Sequence, residues 1–124
     1  MTNGELDIKE WIKRAEEDID TAKYLLKGNK LRAAGFFVQQ SLEKSLKSLY
    51  IKKFGKLWKT HDLVELARIV DAPKDIIEKC AEADPAYIAM RYPGFDDDYD
   101  KDQITMIIKY AEEVLKWSKE KLQQ

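Results

Sequence analysis

Apolar residues recur at three- and four-residue steps along almost all of this 124-residue chain, and that period leaves few folds open. Ile8, Trp11, Ile12, Ala15, Ile19, Ala22, Leu25 and Leu26 line one face of a helix expected over Asp7 to Lys27. Gly28-Asn29 follows it, two residues that tolerate the left-handed backbone closing a helix. A second helix, expected from Leu31 to Phe54 and ended by Gly55, is apolar over a broader arc. Leu31, Ala34, Val38, Leu42, Leu46 and Leu49 form its stripe, with Ala33, Phe37 and Ile51 beside it. Ala33, Ala34, Gly35, Ser41, Ser45 and Ser48 are small enough to let another helix come close. Such a wide apolar surface fits either a central helix or one shared with a second subunit.

After a loop at 56–60, a short helix is expected from Asp62 to Val70 through Leu63, Leu66 and Ala67. Another begins at Pro73, whose missing N–H costs nothing in a first turn, and carries Ile76, Ile77 and Cys80. Asp84-Pro85 is expected to break or kink it, with one more turn over Ala86 to Met90. The last helix starts near Asp100, where Asp100-x-x-Gln103 has the form of a capping box. Ile104, Ile107, Ile108, Ala111, Val114, Leu115, Ser118 and Leu122 form its core stripe. No segment alternates with the two-residue period of a strand. The expected fold class is therefore all-α, an antiparallel up-and-down bundle of three long and two short helices, in one domain over residues 1–124.

The net charge of −1 removes any general attraction to nucleic acid or to an anionic membrane. The charge is nevertheless uneven. Positions 44–59 hold Lys44, Lys47, Lys52, Lys53, Lys56 and Lys59 with no acid, and positions 96–102 hold five aspartates and one lysine. No apolar run approaches the roughly 20 residues of a membrane span, so no membrane association is expected. Cys80 is alone, which excludes an internal disulfide, and the first residues lack a secretory leader pattern, so a cytoplasmic location is expected.

Few residue constellations carry chemistry. Asp96, Asp98, Asp100 and Asp102 alternate like the opening of a calcium loop, but Lys101 and Ile107 stand where that loop needs glycine and glutamate. These acids are read instead as capping and charging the last helix. One histidine, His61, and one cysteine cannot assemble a zinc site, and no metal or cofactor is expected. Thr60-His61-Asp62 reads as a helix start, with a catalytic base as the other reading of His61. The lysines read as a solvated face, or, with Tyr50 and Trp58 among them, as a surface for phosphate and a stacked base. Neither a glycine-rich phosphate loop nor a nucleophile elbow is present.

Three groups of residues together resemble the HEPN family (higher eukaryotes and prokaryotes nucleotide-binding domain), as a small stand-alone prokaryotic member. They are Ala34-x-x-Phe37-x-Gln39-Gln40-x-x-Glu43-Lys44-x-x-Lys47, then Thr60-His61-Asp62-Leu63, then Tyr87-x-x-x-Arg91-Tyr92-Pro93. Tyr110-Ala111-Glu112 with Val114-Leu115 also fits, so the resemblance covers nearly the whole chain. It implies a bundle of four or five helices that forms a homodimer. Many such proteins are encoded beside a minimal nucleotidyltransferase as a toxin–antitoxin pair, and others are metal-independent ribonucleases. The ribonuclease site is an arginine, four to six residues, then a histidine, with a tyrosine two residues further on in some toxins.

By that resemblance Arg91 matches the arginine and Tyr99 the tyrosine, but Asp97 stands in the histidine's place. An exposed aspartate, with an ordinary pKa of about 3.9, is a poor base at neutral pH. Asp96, Asp97 and Asp98 would also repel RNA phosphates, and Arg91 could instead pair with them to hold the turn. The expectation is a binding or regulatory protein, partner of a minimal nucleotidyltransferase, without strong ribonuclease activity. One alternative is a divergent metal-independent ribonuclease toxin using Arg91 and Tyr99, with Asp97 or His61 accepting the proton. The other is a nucleotide-binding module whose candidate ligand residues are Arg91, Tyr92, His61, Lys44 and Lys47.

Overall fold

A computed structural model describes residues 7–91 and 100–124, with side chains for 7–84 and 100–124. Five α-helices follow one another: α1 Ile8–Lys27, α2 Leu31–Phe54, α3 Leu63–Ile69, α4 Lys74–Arg91 and α5 Lys101–Leu122. No strand occurs among the described residues.

The chain builds around α2, which packs against all four other helices. Its burial runs right round the helix between Gln39 and Ile51, where only Gln40 and Lys44 are left partly exposed. The broad apolar arc is thus that of a central helix over Gln39 to Ile51, while Leu31, Ala33, Phe36 and Phe37 nearer its start are only half-buried. The small residues serve the α1 contact. Ser41 donates through Oγ to the Ala15 carbonyl at 2.8 Å, and Ala15 and Ala22 are fully buried. Leu42, Leu46, Val38, Ile104, Ile107 and Val114 fill the centre with Leu63 and Leu66. Burial of such side chains stabilises by about 1.5–3 kcal/mol each.

Helix ends follow local chemistry. Asp7 accepts from the Glu10 N–H at 3.3 Å, and Asp62 accepts from that of Glu65 at 3.1 Å. Asp100 and Gln103 make both bonds of a capping box, at 2.8 and 2.9 Å. Asn29, not Gly28, takes the left-handed conformation after α1, with φ of 59° against −82°. Gly55 takes it after α2, with φ of 69°.

The expected break at Asp84-Pro85 does not occur, and α4 is a long helix of 18 residues rather than a short one. Proline removes one N–H from the helix ladder and crowds the preceding turn. The helix nevertheless continues through Pro85, and in the turns before it Ile76, Cys80 and Ala83 are buried against the core.

Candidate functional site

On α2, Gln39, Glu43 and Lys47 fall at four-residue steps and form a polar stripe inside the bundle. Gln39 is 1% exposed, Glu43 5% and Lys47 6%. Buried charges require partners. Glu43 Oε1 lies 3.6 Å from Lys47 Nζ and is hydrogen-bonded to Nδ1 of His61. Gln39 Oε1 has no hydrogen-bond partner among the described residues.

His61 reaches Glu43 because of the path of the loop at 55–62. Trp58 packs on Tyr50 with ring centroids 5.4 Å apart, and Tyr50 packs on Phe54 at 4.6 Å. From Tyr50 back to Glu43, seven residues, α2 rises about 10 Å. From Trp58 to His61, three residues of extended chain also span about 10 Å. The loop therefore runs antiparallel to α2, pinned by Trp58 at one end and by His61 at the other. Asp62 then caps α3, and Thr60 Oγ accepts from the Asp62 N–H at 3.2 Å. Thr60-His61-Asp62 is thus a helix start, in which Asp62 and Thr60 supply the capping bonds and His61 turns to Glu43.

The side chain of His61 is 61% exposed although the carboxylate beneath it is buried. With Nδ1 turned to Glu43, Nε2 is the ring's other polar atom. Such a carboxylate fixes the ring orientation. On α4, Asp84 lies within electrostatic reach of Asp62; burial first, and the Asp62 charge second, push its carboxyl up to about 6. Arg91 stands seven residues beyond Asp84 at the end of α4, about two turns on and near the same register.

The structure divides the lysines. Lys44 turns toward α1 and pairs with Asp18 at 2.7 Å. Lys47 sits beneath Glu43, as above. Lys52 donates to the carbonyls of Leu122, and of Gln124 at 3.1 Å. Lys53 donates to the Ile69 carbonyl at 3.0 Å and pairs with Asp71 at 2.7 Å, which lowers the Asp71 carboxyl. Cations at helix C-termini meet the negative end of the macrodipole, so this pair of lysines clasps the ends of α3 and α5. Lys56 and Lys59 are exposed, and among the described residues neither has a hydrogen-bonding or ionic partner.

Of the residues singled out in the sequence, then, Lys47 and His61 meet through Glu43, and Lys44 faces elsewhere. Tyr92, Asp97 and Tyr99 lie outside the described residues, as does the side chain of Arg91. The Glu43–His61 contact went unread because it joins positions 18 apart through a loop of no regular period. Its trace in the sequence is the buried-phase acid at 43, on a helix whose turns before and after are otherwise core. Cys80 is buried, its thiol pushed up to about 12 by burial, so it is no nucleophile. No group of three or more metal-binding side chains converges among the described residues, and no helix there is long and apolar enough to cross a membrane.

Residues 8–122 match the model of the HEPN domain. "Putative toxin MJ1304" of Methanocaldococcus jannaschii is 30% identical over 135 residues, covering 94% of this chain and 88% of that protein. ST0689, described as an archaeal HEPN homologue, superposes with a TM-score of 0.78 at 28% identity, over 92% of this chain and 96% of the other. TT1696 from Thermus thermophilus superposes with a TM-score of 0.82 at 23% identity, over 92% and 97%, a likeness of fold.

Proposed function

Because this chain belongs to the HEPN domain family, we propose that it is a binding and regulatory member of a toxin–antitoxin-type pair, without strong ribonuclease activity, whose partner is a minimal nucleotidyltransferase. The observation that carries this reading is the 30% identity, over nearly the whole length of both proteins, to the relative named "Putative toxin MJ1304". Asp97 supports the second part of it. A carboxylate in place of imidazole lacks a proton acceptor of suitable strength at neutral pH and adds negative charge where RNA phosphate would lie. The homodimer belongs to the same reading and rests on family likeness.

The test is expression of the chain alone and together with the nucleotidyltransferase of a neighbouring reading frame. A co-purifying complex and no RNA cleavage by the pure protein are expected, whereas growth arrest relieved by co-expression would favour the alternative of a divergent ribonuclease toxin. Metal-independent cleavage that Arg91→Ala abolishes would overturn the non-catalytic part. Failure of the two proteins to associate at micromolar concentration would overturn the partnership.

A further inference from the structure

At the end of the bundle where α2, α3 and α5 finish, a cavity of about 340 Å³ opens over the buried side chains of Leu49 and Val70, with Lys52, Lys53, Lys121 and Asp71 around it. Lys52 lies nine residues beyond Glu43, about 13 Å along α2, so this region is separate from the Glu43–His61 contact. Two large apolar side chains, Phe54 and Ile69, flank Lys53 at the edge of the cavity and are 41% and 39% exposed. The Lys53 ammonium lies 3.0 Å from the Ile69 carbonyl oxygen and 5.3 Å from the centre of the Phe54 ring. Apolar side chains exposed singly are ordinary, whereas a pair beside an apolar-floored cavity marks a surface for a partner.

Charge at this end is one-sided. Three lysines line the cavity against one carboxylate, and Lys56 follows directly after Gly55. The carbonyls that Lys52 and Lys53 meet carry no formal charge. Asp71 shows what the lysines accept. Its backbone is left-handed, with φ of 62°, and its exposed carboxylate is drawn onto Lys53 at 2.7 Å. Lys53 first, and Lys121 at longer range, hold that carboxyl below its ordinary range.

We infer that this end of the bundle docks an acidic segment of a protein partner, with an apolar side chain of the segment in the cavity beside Phe54 and Ile69 and its carboxylates on Lys52, Lys53 and Lys121. The aliphatic floor receives the apolar anchor, and the lysines supply the polar rim of such a contact. The segment's carboxylates compete with Asp71 for Lys53. A few carboxylates fit this end better than a phosphate backbone does. Three helix C-termini meet here, and the negative ends of their macrodipoles offset part of the lysine charge. A nucleic acid binds chiefly through charge and finds no counterpart for an aliphatic floor.

The inference does not rest on the toxin reading, and its test fails separately. If the chain does not associate with a nucleotidyltransferase, the partnership falls and the outcomes below are untouched. Fluorescence anisotropy of the full chain with a short labelled peptide, one phenylalanine flanked on both sides by glutamates, reads the inference directly. The comparisons are the same peptide with lysines for the glutamates, the same peptide with alanine for the phenylalanine, and a short single-stranded RNA. The acidic peptide is expected to bind below millimolar concentration and to weaken with added salt, and the other three to bind several-fold more weakly. Ile69→Asp, at an exposed position, is expected to weaken the acidic peptide about 10-fold or more. Lys53→Gln, which keeps a donor for the Ile69 carbonyl, should weaken it a few-fold. Asp71→Asn removes the competing carboxylate and keeps a residue that tolerates the left-handed backbone. It should tighten binding a few-fold, a gain that general loosening of the fold would not produce. Lys27→Ala, at the opposite end of the bundle, should change nothing. No binding of the acidic peptide at millimolar concentration, equal affinity in Ile69→Asp, or no gain in Asp71→Asn would overturn the proposal. So would binding of the lysine peptide or of RNA as tightly as the acidic peptide.

Discussion

Glu43, in the middle of α2, holds the Nδ1 edge of His61 from a position where its own charge is buried beside Lys47. Two groups, Lys47 and His61, share one carboxylate, and they are not equivalent. Lys47 and Glu43 each have side chains 7% exposed, whereas that of His61 is 61% exposed. Removing Glu43 leaves a buried ammonium without its counter-ion, so Glu43→Ala is expected to destabilise by about 3 kcal/mol or more. His61→Ala leaves the buried pair intact and should cost less than about 1 kcal/mol. Glu43→Leu combined with Lys47→Met removes both charges and should recover much of the loss. Urea unfolding of the four proteins measures this. A double variant no more stable than Glu43→Ala would show that packing, and not the unpaired charge, sets the cost.

Asp84 gives the chain an acid-side dependence of stability. Its carboxyl is pushed up to about 6 by burial and then by Asp62, while in the unfolded chain such a group titrates near 3.9. The folded state therefore binds this proton more tightly. The contribution is fully present below about pH 4 and is lost as pH rises through about 6. The group is half-buried, and solvent screening leaves an effect of order 1 kcal/mol. Asp84→Asn is expected to stabilise the protein at pH 7.5 and to flatten the slope of melting temperature between pH 4 and pH 6.5. An unchanged slope in that variant would assign the titration to other groups.

The fold was legible where local signals agreed with burial. The apolar stripe of α2 gave its limits, Leu31 and Phe54, because Gly55 closes it and Lys30 precedes it without competition. Pro85 was misleading because the proline rule is a local preference, and α4 continues through it to Arg91. Gly28-Asn29 marks the left-handed close of α1, and the turn places that conformation at Asn29. The lysines could not be sorted from the sequence at all. Lys52 and Lys53 adjoin one another but reach different helix ends, 70 and 16 residues away, and only the packing of α3 and α5 decides that. Glu43 and His61 were both visible, and what joins them is the loop path that Trp58 fixes on Tyr50.

The start of α5 rests on one reciprocal pair. Asp100 accepts from the Gln103 N–H at 2.8 Å, and the Gln103 side chain accepts from the Asp100 N–H at 2.9 Å. Asp100→Ala removes the N-cap acceptor and should cost about 1 kcal/mol. Asp102→Ala removes only a first-turn charge and should cost a few tenths of that. Asp100→Asn retains the acceptor and should stay near wild type. Thermal melts at neutral pH rank the three, and a loss in Asp102→Ala as large as that in Asp100→Ala would mean that charge, not the capping bond, holds the helix end.

Asp97 provides the sharpest functional test, because one substitution changes both charge and proton affinity at the position where related ribonucleases carry histidine. In the wild type, a carboxylate with its acidic neighbours Asp96 and Asp98 is ill suited to take the 2′-hydroxyl proton of RNA. Asp97→His supplies an imidazole with five residues between it and Arg91 and two positions before Tyr99, which restores the spacing that the family resemblance implies. Recovery of general acid–base help is worth about 10²–10⁴ in rate. Asp97→His is therefore expected to cleave single-stranded RNA without added metal, at a rate the wild type does not reach, and Asp97→His with Arg91→Ala is expected to lose that gain. Gel-resolved cleavage in chelator measures it. If Asp97→His folds with the melting temperature of the wild type and still leaves RNA intact, the loss of histidine is not what separates this chain from its nucleolytic relatives, and the remaining acids at 96 and 98 become the next positions to neutralise.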